Sequence, residues 1–215
     1  MEAITFSPAQ VHIFNLVSHI KSEAALEQLR QQLAAFYAKQ VDDEMDELWE
    51  NGQFDEKRMK ELRGSHFRTP YDDWVTMNPV VIDTNCLLQI ISRRSPYRPI
   101  WDAFLQGRYD LCVSNEILEE YQEILGQQIT PTVAENVVLL ILNQKNVQLI
   151  DPHFRIGIIT ADPDDNKFVD CAFAAGADYL VSEDSHFDVL RHTPFPRINL
   201  VSLDEFMQTR LVSQP

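Results

Sequence analysis

The chain has 215 residues, 45% of them hydrophobic, and a formal net charge of −15. That length holds one good core with an appendage, or two small domains, and no apolar run approaches the roughly 18 residues of a membrane span. Acidity of this size argues against a broad basic footprint for nucleic acid, and the N-terminus lacks the order of charges and apolar residues found in a secretory signal.

The first part of the chain is helical in pattern and strongly charged. From Ser22 through Ala38, Ala25, Leu29, Leu33 and Phe36 recur at helical spacing, joined by Leu26 and Ala34. Met45, Leu48 and Trp49 continue a narrower stripe through Asp42 to Glu50, and Asn51-Gly52 ends it. Phe54 to Arg63 offers one more short helix. Stripes this narrow make little core alone, so these helices are expected to pack on the rest of the chain or on another copy. The texture changes near Thr69-Pro70-Tyr71, which divides the chain into a helical segment, 1–75, and a second domain, 76–215.

After Pro79 the pattern alternates. Val80 to Ile82, Leu111 to Val113, Val147 to Ile150, Tyr179 to Val181 and Ile198 to Val201 read as strands. Between them lie helices starting near Ser114 and over Pro131 to Asn143 and Asn166 to Ala175, with Leu203 to Arg210 at the end. Gly176 is placed to close the third of these as a left-handed cap. Such alternation predicts a parallel sheet covered on both faces. Cys86, Cys112 and Cys171 are odd in number and set in apolar segments, so they read as reduced packing residues of a cytoplasmic protein. The six His residues are scattered without metal-ligand spacing.

Carboxylates recur where such a sheet exposes side chains to a ligand. Asp83 follows the first strand, a privileged position; an Asp at a strand-to-helix turn is also a common helix cap, and both readings stand for it. Asn85 is suited to orienting that loop. On the helix after Ser114, Glu119 and Glu123 project opposite the apolar stripe, with Glu116 nearly as far away, while Glu120 lies at its edge. Glu120 is therefore the candidate and Glu119 the alternative. In Asp162-Pro163-Asp164-Asp165-Asn166, Asp165 projects onto the core-facing side, Asp164 falls at its edge, Asp162 suits a turn cap, and Asp170 faces away. Burying Asp165 is costly unless it is paired or metal-bound. Asp184 mirrors Asp83 beyond its own strand, with Ser182 able to hold a water or a phosphate oxygen and Glu183 as the weaker alternative. Carboxylates converging on one crevice repel each other, and a hard cation such as Mg²⁺ or Mn²⁺ relieves that repulsion. Basic residues for a phosphate backbone are few: Arg93, Arg94, Arg98 and Lys167.

These segments resemble the PIN domain family of metal-dependent ribonucleases, over about Pro79 to Leu203. Val-Ile-Asp-Thr-Asn at 81–85, the Glu-bearing helix from Ser114 to Leu125, Asp-Pro-Asp-Asp-Asn-Lys-Phe at 162–168 and Ala174 to Asp184 carry the likeness, most specifically to toxins of toxin–antitoxin pairs. Ser182-Glu183-Asp184 departs from the family's more usual Thr, variable residue and Asp. The resemblance implies a five-stranded parallel sheet between helices, Mg²⁺- or Mn²⁺-dependent hydrolysis of RNA, and an acidic quartet at Asp83, Glu120, Asp165 and Asp184. It also implies a homodimer. The segment from Leu16 to Tyr71 resembles small helical proteins encoded beside such toxins, which implies an antitoxin-like segment acting in cis or in trans. Arg63, His66 and Arg68 would then reach the carboxylates and displace the metal. The rival class is a non-catalytic RNA- or protein-binding regulatory module whose acidic site is occupied; a phosphatase using Asp83 as nucleophile would need an Asp where Asn85 stands.

Overall fold

The computed structural model describes residues 20, 22–55 and 79–210 of the chain. Five strands, β1 (Pro79–Ile82), β2 (Asp110–Val113), β3 (Val147–Leu149), β4 (Tyr179–Val181) and β5 (Leu200–Val201), form one parallel sheet in the order β3-β2-β1-β4-β5. Helices α1 (Glu23–Glu50), α2 (Thr84–Ile90), α3 (Arg98–Leu105), α4 (Asn115–Gln128), α5 (Pro131–Asn143), α6 (Asn166–Ala175) and α7 (Leu203–Arg210) surround it. This is the expected five-stranded parallel sheet flanked by helices.

Val80, Val81, Leu180 and Val181 are sealed from solvent, which is why the central strands are unbroken apolar runs rather than alternating ones. β1 pairs Val80 with Tyr179 and Ile82 with Val181 on one side, and Val80 with Leu111 on the other. From β1 the chain runs outward to β2 and β3, then returns to β4 on the opposite side of β1 and continues to β5. The direction reverses between β1 and β4, and the crevice beyond the carboxyl ends of those two strands is where an open α/β sheet leaves room for a ligand. Gly176 ends α6 at φ 59°, a left-handed position that suits a residue without a side chain. All three cysteines are free and buried.

The helical segment departs from its sequence reading in extent and facing. α1 is one continuous helix of 28 residues, capped by the Ser22 hydroxyl, which accepts from the Ala25 N–H at 3.2 Å. Ala34, Val41, Asp42 and Met45 form its buried line, whereas Phe36, placed on the apolar stripe by spacing, is 55% exposed. The reason is geometric: α1 lies along α5 of its own chain, and a crossing of two helices buries only a narrow row of side chains.

The basic cluster proved to be structural. Arg98 Nη1 lies 2.6 Å from Asp42 and its Nε 2.7 Å from Asp102. Arg93 reaches Asp42 at 2.9 Å and Asp46 at 3.2 Å, and Arg94 sits 3.7 Å from Glu50 and over the Trp49 ring. These arginines fasten α1 to the α2–α3 turn and are not positioned for a phosphate backbone. α3 itself went unread from the sequence, its start marked only by the favourable early proline, Pro99. Arg63, His66, Arg68 and most of the short helix expected over Phe54 to Arg63 lie outside the described residues.

Candidate active site

Four separate elements deliver the acidic side chains to the mouth of the sheet. Asp83 leaves β1 with its backbone N–H bonded to the Val181 carbonyl at 2.9 Å, which ties the turn to β4. It occupies the N-cap position of α2, yet its side chain makes no capping bond, so capping does not explain it. Its carboxylate is 4% exposed and accepts from the Ser182 hydroxyl at 2.9 Å. No positively charged side chain pairs with it among the described residues.

Glu120 is placed by its neighbour. The Tyr121 hydroxyl donates to the Ile82 carbonyl, fixing α4 beside the end of β1. One Glu120 oxygen then accepts from the Thr84 hydroxyl at 2.5 Å, and the other lies 2.5 Å from the Lys167 ammonium. Glu119 and Glu123 are exposed, as the projection around α4 required.

Asp165 closes a short 3-10 turn, Pro163–Asp165, ahead of α6. Asn166 staples the preceding loop there: its side chain donates to the Ile159 and Pro163 carbonyls at 2.7 and 2.9 Å and accepts from the Ile159 N–H at 3.0 Å. Asp162 caps the turn by accepting from the Asp164 N–H at 3.1 Å, and Asp164 itself is exposed. Asp184 precedes a second 3-10 stretch, Ser185–His192, and accepts from the His186 N–H at 2.8 Å. Its own N–H donates to the Ser182 oxygen at 3.0 Å. Ser182 thus joins Asp83 to Asp184, while Asn85 is exposed and makes no orienting side-chain bond among the described residues.

Several sequence readings need correction here. The histidines are not all irrelevant: His186 Nδ1 lies 3.2 Å from Asp165 and 3.6 Å from Asp184. No spacing rule exposed it, because the two acids it joins come from different elements. Thr84 was likewise missed, being read only as part of the opening motif. Lys167 pairs with Glu120 instead of standing free for phosphate. Glu183 accepts from the Leu203 N–H at 2.8 Å, holding the start of α7. Asp170 does not face away: it is fully buried, accepts from the Ile156 N–H at 2.8 Å, and lies 3.6 Å from Arg155. Projection around α6 treated that side as solvent, but the loop after β3 folds over it. Arg155 also pairs with Glu116.

Electrostatics follow from this crowding. Burial pushes the Asp83 carboxyl up to about 7; the Ser182 hydroxyl opposes the shift, and the charges of Asp165, Glu120 and Asp184 add to it. Burial likewise raises Asp165 to about 6, against the pull of His186 and with help from Asp162 and Asp184. The hydrogen bond to Asp165, with the Asp184 charge, raises His186. Protonation or a positive ion would relieve the same strain. The tightest ligand-like grouping among the described residues is Asp162, Asp165 and His186, within 4.8 Å of one another. Asp83, Glu120 and Asp184 stand outside it, their oxygens held by Ser182, by Thr84 and Lys167, and by the His186 N–H. Oxygen-rich donors with one buried, uncompensated carboxylate fit a hard divalent cation. Beside Asp165 and Glu120 opens a groove of about 650 Å³, bounded also by Glu116, Arg155 and Lys167.

A parallel α/β sheet with an acidic notch at its switch point defines the class of protein. Sequence comparison gives the family: the profile described as PIN domain matches residues 79–186, and the chain belongs to the PIN domain family. PIN domains are typically metal-dependent nucleases, so nuclease activity is what membership implies. Residues 1–68 match a family of unknown function. No curated protein and no solved structure matches the chain. No helix among the described residues is long and apolar enough to cross a membrane.

Proposed function

We propose that the chain is a divalent-metal-dependent endoribonuclease, the toxin of a toxin–antitoxin pair, acting in the cytoplasm and restrained by its N-terminal segment. The supporting observation is Asp83: a buried carboxylate without a cationic partner among the described residues, felt electrostatically by Glu120, Asp165 and Asp184 from three other elements. Asp83, Glu120, Asp165 and Asp184 would hold Mg²⁺ or Mn²⁺, with His186 and Asp162 at the rim. A bound ion of this kind lowers the pKa of its water and offsets charge on a reacting phosphate. The chain's own residues orient the donors. Ser182 holds Asp83 and Asp184 in register, Thr84 steers Glu120, and Asn166 fixes the turn that carries Asp165. The groove beside Asp165 and Glu120 is the path for RNA, with Arg155 at its wall.

In this reading residues 1–75 are the antitoxin-like segment and 76–215 the nuclease domain, which pairs with a second copy. α1 packs against α5 and the α2–α3 turn, and neither carries a site carboxylate. Restraint therefore falls to the stretch bearing Arg63, His66 and Arg68, in cis or from a neighbouring chain. A non-catalytic binding module is the second reading, favoured by the charge of −15.

Labelled single-stranded RNA incubated with the full chain separates them. Cleavage that needs Mn²⁺, stops with EDTA, disappears in Asp83→Asn and increases in Arg63→Ala/Arg68→Ala supports the enzyme. Cleavage surviving Asp83→Asn rules out this site, and silence in every variant favours the binding module.

A further inference from the structure

We infer that Lys167 is a tethered counter-ion of the acidic notch, holding Glu120 in the absence of a divalent cation and competing with that cation for it. This rests on the metal-dependent reading of the site. Lys167 stands two positions after Asp165, so the start of α6 carries both a site acid and a base. Its ammonium lies 2.5 Å from the outer Glu120 oxygen, and the two side chains are only 18% and 22% exposed. The ammonium also lies over the Phe168 ring, 5.9 Å from its centre. Asp164 and Asp165 add their attraction to that of Glu120.

The other Glu120 oxygen is held by the Thr84 hydroxyl. A carboxylate oxygen has lone pairs to spare, so Thr84 can stay while Glu120 takes an ion. Lys167 cannot share in the same way. An ammonium has no lone pair to offer a metal, and two positive charges a few ångström apart repel. Its flexible four-carbon stem lets it swing into the adjoining groove, where an RNA phosphate would receive it. His186 bridges Asp165 and Asp184 in a similar manner, but an imidazole can itself ligate a metal. Lys167 is therefore the purer competitor, and it acts as a positioning residue.

The test is Mn²⁺ binding by the full chain without RNA, followed through the paramagnetic signal of free Mn²⁺. Lys167→Met is expected to bind Mn²⁺ about tenfold more tightly, because one neighbouring positive charge has gone. In EDTA the same variant should melt at lower temperature than the parent, and saturating Mn²⁺ should erase the difference. Lys167→Arg keeps the charge and should retain the parent affinity. If Lys167→Met fails to fold, Lys167→Gln reads the same quantity with a neutral hydrogen-bonding side chain. Unchanged or weaker Mn²⁺ affinity overturns the inference while leaving the metal-dependent site intact. Absence of Mn²⁺ binding by the parent overturns both.

Discussion

Two buried aspartates show what this molecule does with negative charge. Asp42, on α1, is 7% exposed and meets two guanidinium groups, Arg98 at 2.6 Å and Arg93 at 2.9 Å. Asp83, at the mouth of the sheet, is 4% exposed and has, among the described residues, only the Ser182 hydroxyl at 2.9 Å for its side chain. Burying a charge costs free energy in both places. At Asp42 the chain supplies its own cations, and the result is a fastening between a helix and a domain. At Asp83 the described residues supply none and add three more carboxylates within electrostatic reach. The contrast separates a structural acid from one that awaits an ion.

The largest effect should come from removing the uncompensated charge. Asp83→Asn is expected to lower Mn²⁺-dependent RNA cleavage at least about a thousandfold. The same change should make the cation-free protein more stable near pH 8, since it deletes a charge the fold disfavours; thermal melting in EDTA reads this. A less stable variant at that pH would break the comparison.

The paired side should behave in the opposite way. Arg98→Ala leaves Asp42 buried with a single remaining guanidinium, and should cost roughly 3 kcal/mol of stability in urea unfolding. Cleavage per folded molecule should change little, because neither residue touches the notch.

Acidity gives a third measurement. The folded values of Asp83, about 7, and Asp165, about 6, lie above the ordinary aspartate value of 3.8. Between about pH 4 and 7 the folded state therefore holds protons that the unfolded chain has released. Stability in EDTA should be highest at the lower end of that window and fall by several kcal/mol as pH rises through it. His186, raised by Asp165, works in the same direction: its contribution is present below its unfolded value and lost as pH passes the folded one. Saturating Mn²⁺ should flatten the profile, and a profile rising with pH would contradict the argument.

Smaller effects test the boundaries of the site. Asp170→Asn keeps an acceptor for the Ile156 N–H and weakens only the 3.6 Å pairing with Arg155, so unfolding should shift by no more than roughly 1 kcal/mol. Glu119→Gln alters an exposed carboxylate one residue from Glu120 and should leave cleavage within about twofold of the parent.

Local pattern carried far in this chain. Unbroken apolar runs marked the central strands because both faces of a parallel sheet are covered. Helical projection separated Glu120 from Glu119 because α4 has one buried face. The same logic failed for Asp170, whose apparent solvent face is covered by a distant loop, and for Phe36, which stays 55% exposed with its ring edge-on to Tyr37. It also misplaced Arg93, Arg94 and Arg98, since a run of cations says nothing about which acids approach from elsewhere in the chain.

By itself, then, the sequence determined the alternation of strands and helices, the parallel sheet, and the acidic residues beyond the strand ends. Those features depend on periodicity and on neighbours close along the chain. Only the tertiary structure decided which charges meet: Arg98 with Asp42, Lys167 with Glu120, His186 with Asp165 and Asp184, and Ser182 between Asp83 and Asp184. Charge pairing acts through space, and the sheet's reversal between β1 and β4 brings together groups that the chain keeps far apart.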